Sequence, residues 1–159
     1  MQTHAETTYP EECCGILLGW RQGDATTLVE VLATENSWNE EAVDTFDSVA
    51  AMAPLQPASK HNRFTIAPAV MLQAQKKARD ANGGLRRDHR NLDIIGIYHS
   101  HPDHPAVPSE FDRAIAWQQY SYIIVSIQQG KASDIKSWVL DKEHQFQQEE
   151  IITLPTSPD

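Results

Sequence analysis

Cysteine is scarce in this chain. There are two, Cys13 and Cys14, and they are adjacent. Such a pair does not suggest a disulfide framework, so the expected setting is a reducing cytoplasm. Positive charge is also short: 13 Lys and Arg stand against 22 Asp and Glu, a formal net charge of −9. That balance argues against nonspecific nucleic-acid binding, which relies on a basic face. No window approaches the ~20 apolar residues of a membrane span. No cationic start followed by an apolar segment marks a secretory signal. Internal repeats and domain linkers are lacking as well. What is present is 159 residues, 40% of them hydrophobic, long enough for one domain with a real core and short for two.

The informative stretch is Gly96-Ile97-Tyr98-His99-Ser100-His101-Pro102-Asp103-His104-Pro105-Ala106-Val107-Pro108-Ser109-Glu110-Phe111-Asp112. The apolar run before it, Ile94-Ile95-Gly96-Ile97, reads as a buried strand. Side chains on a strand repeat every second residue, so His99 and His101 share a side and Ser100 faces the other. Pro102, Pro105 and Pro108 forbid a continued central strand and a helix, so the chain must turn. Ser109 is a good N-cap, with helix to follow from Glu110 to Trp117. Asp112 lies one turn from Ser109 on the same face. Two imidazoles, a hydroxyl and a carboxylate can thus meet at one point. Two histidines and one carboxylate make the three-ligand set of a catalytic zinc, with a fourth position left open. The chemistry also needs a base, and Glu11 and Glu12 in Tyr9-Pro10-Glu11-Glu12-Cys13-Cys14-Gly15 are the upstream candidates.

These residues resemble the JAMM motif of the MPN-domain metalloproteases: an upstream Glu, then His-Ser/Thr-His, seven residues, Ser, two residues, Asp. His99-Ser100-His101, residues 102–108, Ser109 and Asp112 fit without a gap. Pro10-x-Glu12-x-Cys14-Gly15-x-Leu17-x-Gly19 resembles the family's N-terminal Glu segment. The resemblance implies that His99, His101 and Asp112 bind zinc, that Glu12 is the general acid/base, and that Ser109 holds the developing oxyanion. It implies an α/β fold with one mixed sheet flanked by helices, like that of cytidine deaminases. It implies hydrolysis of amide or isopeptide bonds at the C-terminus of ubiquitin or ubiquitin-like proteins. The compact length is similar to stand-alone prokaryotic members, for which the implied partner is a ubiquitin-like sulfur-carrier protein ending in Gly-Gly. The alternative is a non-catalytic MPN scaffold or binding module; retention of all five motif positions argues against it. A zinc deaminase would need His-x-Glu and Pro-Cys-x-x-Cys, and neither is present.

One MPN domain is expected over residues 1–155, with a tail at 156–159. Residues 1–8 have room for two helical turns and no strand. Residues 14–20 and 26–34 read as a hairpin around Arg21-Gln22-Gly23-Asp24. Residues 35–62 form a long, initially acidic insertion with at most a short helix at about 41–52. It reads as a mobile, solvated loop or, more sharply, as a lid or docking loop beside the site. Arg63 to Ile66 reads as a short strand, Pro68 to about Ala81 as a helix, and Gly83-Gly84 as its end. Six basic residues between Lys76 and Arg90 read as a solvated helix end or as a docking patch for an acidic protein. Strands are expected at 120–127, 135–140 and 145–154, the last at an edge. His104 has no role in the motif. Cys13 and Cys14, pointing opposite ways, read as buried thiols.

Overall fold

The computed structural model describes residues 1–39, 58–83 and 91–153. Six strands form one sheet in the order β2-β1-β3-β4-β5-β6. They are β1 (Cys14–Gln22), β2 (Ala25–Thr34), β3 (Asp93–Pro102), β4 (Ser121–Gln128), β5 (Lys131–Leu140) and β6 (Phe146–Glu149). Neighbours are antiparallel except β3 and β4, which run parallel. A parallel pair cannot close through a tight hairpin and needs a crossover. Residues 103–120 are that crossover, and they carry α3 (Glu110–Ile115). The expected α/β class with a mixed sheet is what the chain adopts. Among the described residues, no helix is long and apolar enough to cross a membrane.

The central strands are buried on both faces because helices cover both. On one face, α1 (Gln2–Thr8) lays Ala5 against Leu17, Tyr98, Val125 and Ile127. On the other, α2 (Pro68–Asn82) packs Ala74 and Ala78 on Ile16, Leu18 and Ile94. Alanines four apart form one small-residue stripe, which lets that helix come close to the sheet. Gly15 has a related function. A Cβ there would strike the Tyr98 ring and the Leu32 carbonyl, so only glycine admits the ring across β1. Tyr98 is fully buried, as expected of a core residue, and its hydroxyl meets His4 Nδ1 at 2.8 Å.

Several boundaries differ from the sequence expectations. Arg63 to Ile66 is not a strand. Its backbone polar groups are met instead by Asn36 and Ser37: the Asn36 side chain bonds the Arg63 carbonyl and the Thr65 N–H, and Ser37 N–H donates to Thr65. A side chain takes the place of a ladder. Helix α3 stops at Ile115, short of Trp117, because the Trp117 N–H turns to the Tyr122 hydroxyl at 2.7 Å. Strand β5 starts at Lys131, four residues early. Strand β6 is an edge strand but shorter than expected; it ends where Glu149 accepts from the Ser137 hydroxyl at 2.8 Å. The helix anticipated at about 41–52, three of the six basic residues (Arg86, Arg87 and Arg90), and the tail lie outside the described residues. The flanks of the insertion are packed. Asn36 and Trp38 are buried, and the Trp38 ring meets Phe111 edge-on at 5.6 Å.

Candidate metal centre

Strand parity and a capped helix assemble the centre. His99 and His101 lie at the C-terminal end of β3 on the face away from α1, while Tyr98 points to the α1 side and Ser100 is also buried. Ser100 fixes the backbone: its hydroxyl accepts the Cys13 N–H at 2.8 Å, and its own N–H donates to the Cys13 carbonyl at 3.1 Å. That exchange staples the Glu12 segment beside the histidines. Asp112 arrives from α3. Ser109 caps the helix by accepting the Asp112 N–H at 3.1 Å, and Asp112 Oδ2 accepts the Ser109 N–H at 2.6 Å. This reciprocal box holds the carboxylate at the helix start.

The three side chains converge. His99 Nε2 and His101 Nε2 are 3.0 Å apart. Asp112 places Oδ1 3.1 Å from His99 Nε2 and Oδ2 3.3 Å from His101 Nε2. All three residues are buried. Zinc–nitrogen bonds of 2.0–2.1 Å separate tetrahedral ligand atoms by about 3.3 Å, so the spacing fits. The proton count fits as well. His101 Nδ1 lies 3.0 Å from the Pro105 carbonyl. A carbonyl only accepts, so Nδ1 carries the hydrogen and Nε2 of the neutral ring presents a lone pair. That lone pair and a carboxylate, facing each other beside the His99 ring, want a cation. His99 stacks on Phe64 at 4.5 Å, and its Nδ1 has no partner among the described residues. The cluster could therefore hold a metal ion.

The electrostatics describe the same demand. Burial alone would lower His101, but the hydrogen bond and charge of Asp112, with Glu12, raise it to about 8. Burial would raise Asp112, but the two histidines hold it well below the usual carboxylate range. Burial lowers His99. A proton on His101 thus does part of a cation's work, and a metal must displace it. Zinc affinity should rise with pH by about tenfold per unit for each proton released, levelling off above about pH 8. Competition against a chromophoric chelator at pH 6 to 9 measures this; a flat profile would contradict it.

Glu12 is buried outside the three-residue cluster. Burial raises its carboxyl to about 8, opposed by the charges of His101 and Arg63 and reinforced by Asp112. Its backbone is gripped from both sides: its N–H donates to the Lys60 carbonyl at 2.7 Å, and its carbonyl accepts from Asn36 Nδ2 at 3.0 Å. Asn36 is the residue that sequence reasoning missed. Its amide also reaches the Arg63 carbonyl at 2.9 Å, and its oxygen takes the Trp38 and Thr65 N–H groups at 3.0 and 3.2 Å. An Asn at the exit of a strand was its one visible signal. Ser109 Oγ also donates to Asp112 Oδ2 at 2.8 Å, so it sits next to the cluster. His104 and Glu110 are exposed, and neither joins the cluster. Cys13 faces the α1 core and Cys14 faces Thr34; burial pushes their thiols up to about 11 and about 12. A cavity of about 960 Å³ lined by Arg21, Gln75, Arg79 and Asp93 opens at the opposite ends of β1 and β3 and holds none of these residues.

Residues 1–141 match the model of a family described as prokaryotic homologs of the JAB domain. The chain belongs to this family. The JAB family, the MPN family of the sequence motif, includes metallo-hydrolases, and the His99, His101 and Asp112 cluster of this JAB domain fits the JAMM pattern. Among solved structures, a protein of Desulfitobacterium hafniense is 29% identical with a TM-score of 0.66, covering 94% of this chain and 83% of that one. A protein of Salinibacter ruber is 26% identical with a TM-score of 0.54, covering 98% and 86%. A JAB1/MPN domain protein from Archaeoglobus fulgidus is 15% identical with a TM-score of 0.46, covering 92% and 83%. No curated protein matches the chain.

Proposed function

We propose that this JAB domain is a zinc-dependent peptidase that hydrolyses an amide bond at the C-terminal Gly-Gly of a ubiquitin-like sulfur-carrier protein. The observation that carries the reading is the facing of His99 Nε2, His101 Nε2 and the Asp112 carboxylate at 3.0 to 3.3 Å, with buried Glu12 beside them. The carrier protein comes from the likeness to stand-alone prokaryotic members. His99, His101 and Asp112 would hold the zinc, which when bound polarises a carbonyl and lowers the pKa of water. Glu12 takes the proton of the attacking water and passes it to the leaving nitrogen. Its raised pKa, near neutral rather than acidic, suits a group that must both accept and return a proton. The Ser109 hydroxyl can turn from Asp112 to the developing oxyanion. No covalent acyl intermediate is needed, and the two buried thiols take no part.

Metal analysis of the purified protein, paired with mass spectrometry of a ubiquitin-like protein extended to end in Gly-Gly-Ala, tests this. One zinc per chain and release of the residue after Gly-Gly are expected. Zinc without cleavage would reject the proposed substrate. Folded protein that takes up no zinc would leave a scaffold.

A further inference from the structure

We propose that Arg63 reads the free carboxylate of the amino acid leaving this site, so that the bond cut is the last peptide bond of the substrate. The proposal deepens the peptidase reading above and rests on it. Three features of the molecule support it. Arg63 is partly buried, and its guanidinium stands 4.5 Å from the centroid of the Phe111 ring. Phe111 precedes Asp112 on α3, so this contact holds the cation against the helix that carries the cluster's carboxylate. The Arg63 carbonyl is held by the same Asn36 amide group that holds the Glu12 carbonyl. General base and cation are thus mounted on one bracket.

The second support is what Arg63 does not do. Among the described residues it joins no ion pair, and its side chain gives one hydrogen bond, from Nη1 to the Asn62 carbonyl at 2.6 Å. A guanidinium has five N–H donors in a flat fork suited to a carboxylate. A partly buried fork with donors to spare, whose charge acts on the Glu12 carboxyl, can take a substrate carboxylate beside that base. The third support is local composition. Lys60, His61 and Arg63 lie within four residues, and Lys60 and His61 are themselves docked on the Glu12 segment, through the Lys60 carbonyl and through His61 Nδ1 to the Pro10 carbonyl at 2.9 Å.

Geometry then selects the substrate. Glu12 must reach the leaving nitrogen to protonate it. In a released α-amino acid the carboxyl carbon lies two bonds from that nitrogen, about 2.5 Å away. A cation beside Glu12 can therefore hold it. When the leaving group is a lysine side chain or a longer peptide, no free carboxylate lies there. The proposal separates these classes, which share the same hydrolysis.

The test uses zinc-loaded Glu12→Gln protein, which binds without turning over. It is titrated by NMR with N-acetyl-Gly-Gly-Ala as the free acid and as the C-terminal amide. The acid should bind about 10- to 100-fold tighter, the range of a charge-assisted bidentate contact. Adding Arg63→Gln should shrink that ratio to within about threefold. Arg63→Lys, which keeps the charge but loses the fork, should retain a preference of a few-fold and serves if the Gln variant does not fold. Equal binding of acid and amide, binding of neither, or a preference that survives Arg63→Gln overturns the proposal. Cleavage by the wild type is measured separately. Its absence would reject the peptidase, while the binding ratio still judges Arg63.

Discussion

Glu12→Gln is expected to cut turnover by about 10²- to 10⁴-fold, the usual contribution of a positioned general acid/base, with zinc content unchanged. The substitution keeps shape and removes only the ability to carry a proton. Shape matters because the residue is 5% exposed and its backbone is pinned by Lys60 and Asn36. The carboxylate lies outside the group of donors that face one another, so the metal should not notice the change. The measurement is kcat on the Gly-Gly-Ala-extended protein beside metal analysis of both proteins. Loss of zinc in the variant would make Glu12 a ligand rather than a base. A kcat within a few-fold of wild type would move the base elsewhere, and the adjacent Glu11 would be the next residue to substitute.

Much of this site was legible from the sequence because its cluster is local. His99, His101, Ser109 and Asp112 fall within 14 residues, and two short-range rules arrange them. Strand parity puts both histidines on one side, and a capping box returns Asp112 to the helix start. The same parity put Ser100 on the opposite side, where it grips Cys13. The hairpin, α2 and the central β4 were readable for a similar reason: each declares itself by periodicity or by turn residues. Glu12 was different. No local rule joins residue 12 to residue 99, and it was preferred over Glu11 through family likeness. The structural reason is the β1–β3 register, which pairs Cys14 with His99.

What escaped the sequence is held by side chains rather than by periodic backbone. Asn36 ties Glu12, Arg63, Trp38 and Thr65 together across separations of up to 29 residues. Nothing in its neighbours shows this, and so the 35–62 stretch reads only as a solvated loop or a lid beside the site. Its first residues are packed, with Trp38 against Phe111. The failed strand at 63–66 has the same origin. Phe-Thr-Ile looks like a strand by composition, but the Asn36 amide and the Ser37 N–H satisfy what a neighbouring strand would have. Arg63 was invisible as a site residue because its role depends on Phe111, 48 positions away.

Asp112 does two jobs, and one substitution can separate them. It closes the capping box of α3 by accepting the Ser109 N–H on Oδ2, and it faces both histidines through its two oxygens. Asp112→Ala removes both functions at once. Losing the cap costs about 1 kcal/mol, so a fall in activity there would be ambiguous. Asp112→Asn keeps an oxygen to accept the Ser109 N–H while it discards the negative charge. The metal-free Asn variant should therefore melt within a few degrees of the metal-free wild type. Its zinc affinity should drop by more than about 100-fold, beyond the loss typical of removing a group that merely orients a ligand. The consequence for stability follows by mass action: zinc at a thousand times its Kd stabilises the wild type by about 4 kcal/mol, and the same zinc should barely shift the variant. The charge balance points the same way. Without the carboxylate, burial acts on His101 unopposed by its main partner and its pKa should fall below about 8, so the histidines become easier to deprotonate yet still fail to hold the ion. Thermal melts of both proteins with and without zinc decide it. A variant that keeps the full zinc-induced shift would remove Asp112 from the ligand set and leave it as the capping-box partner of Ser109.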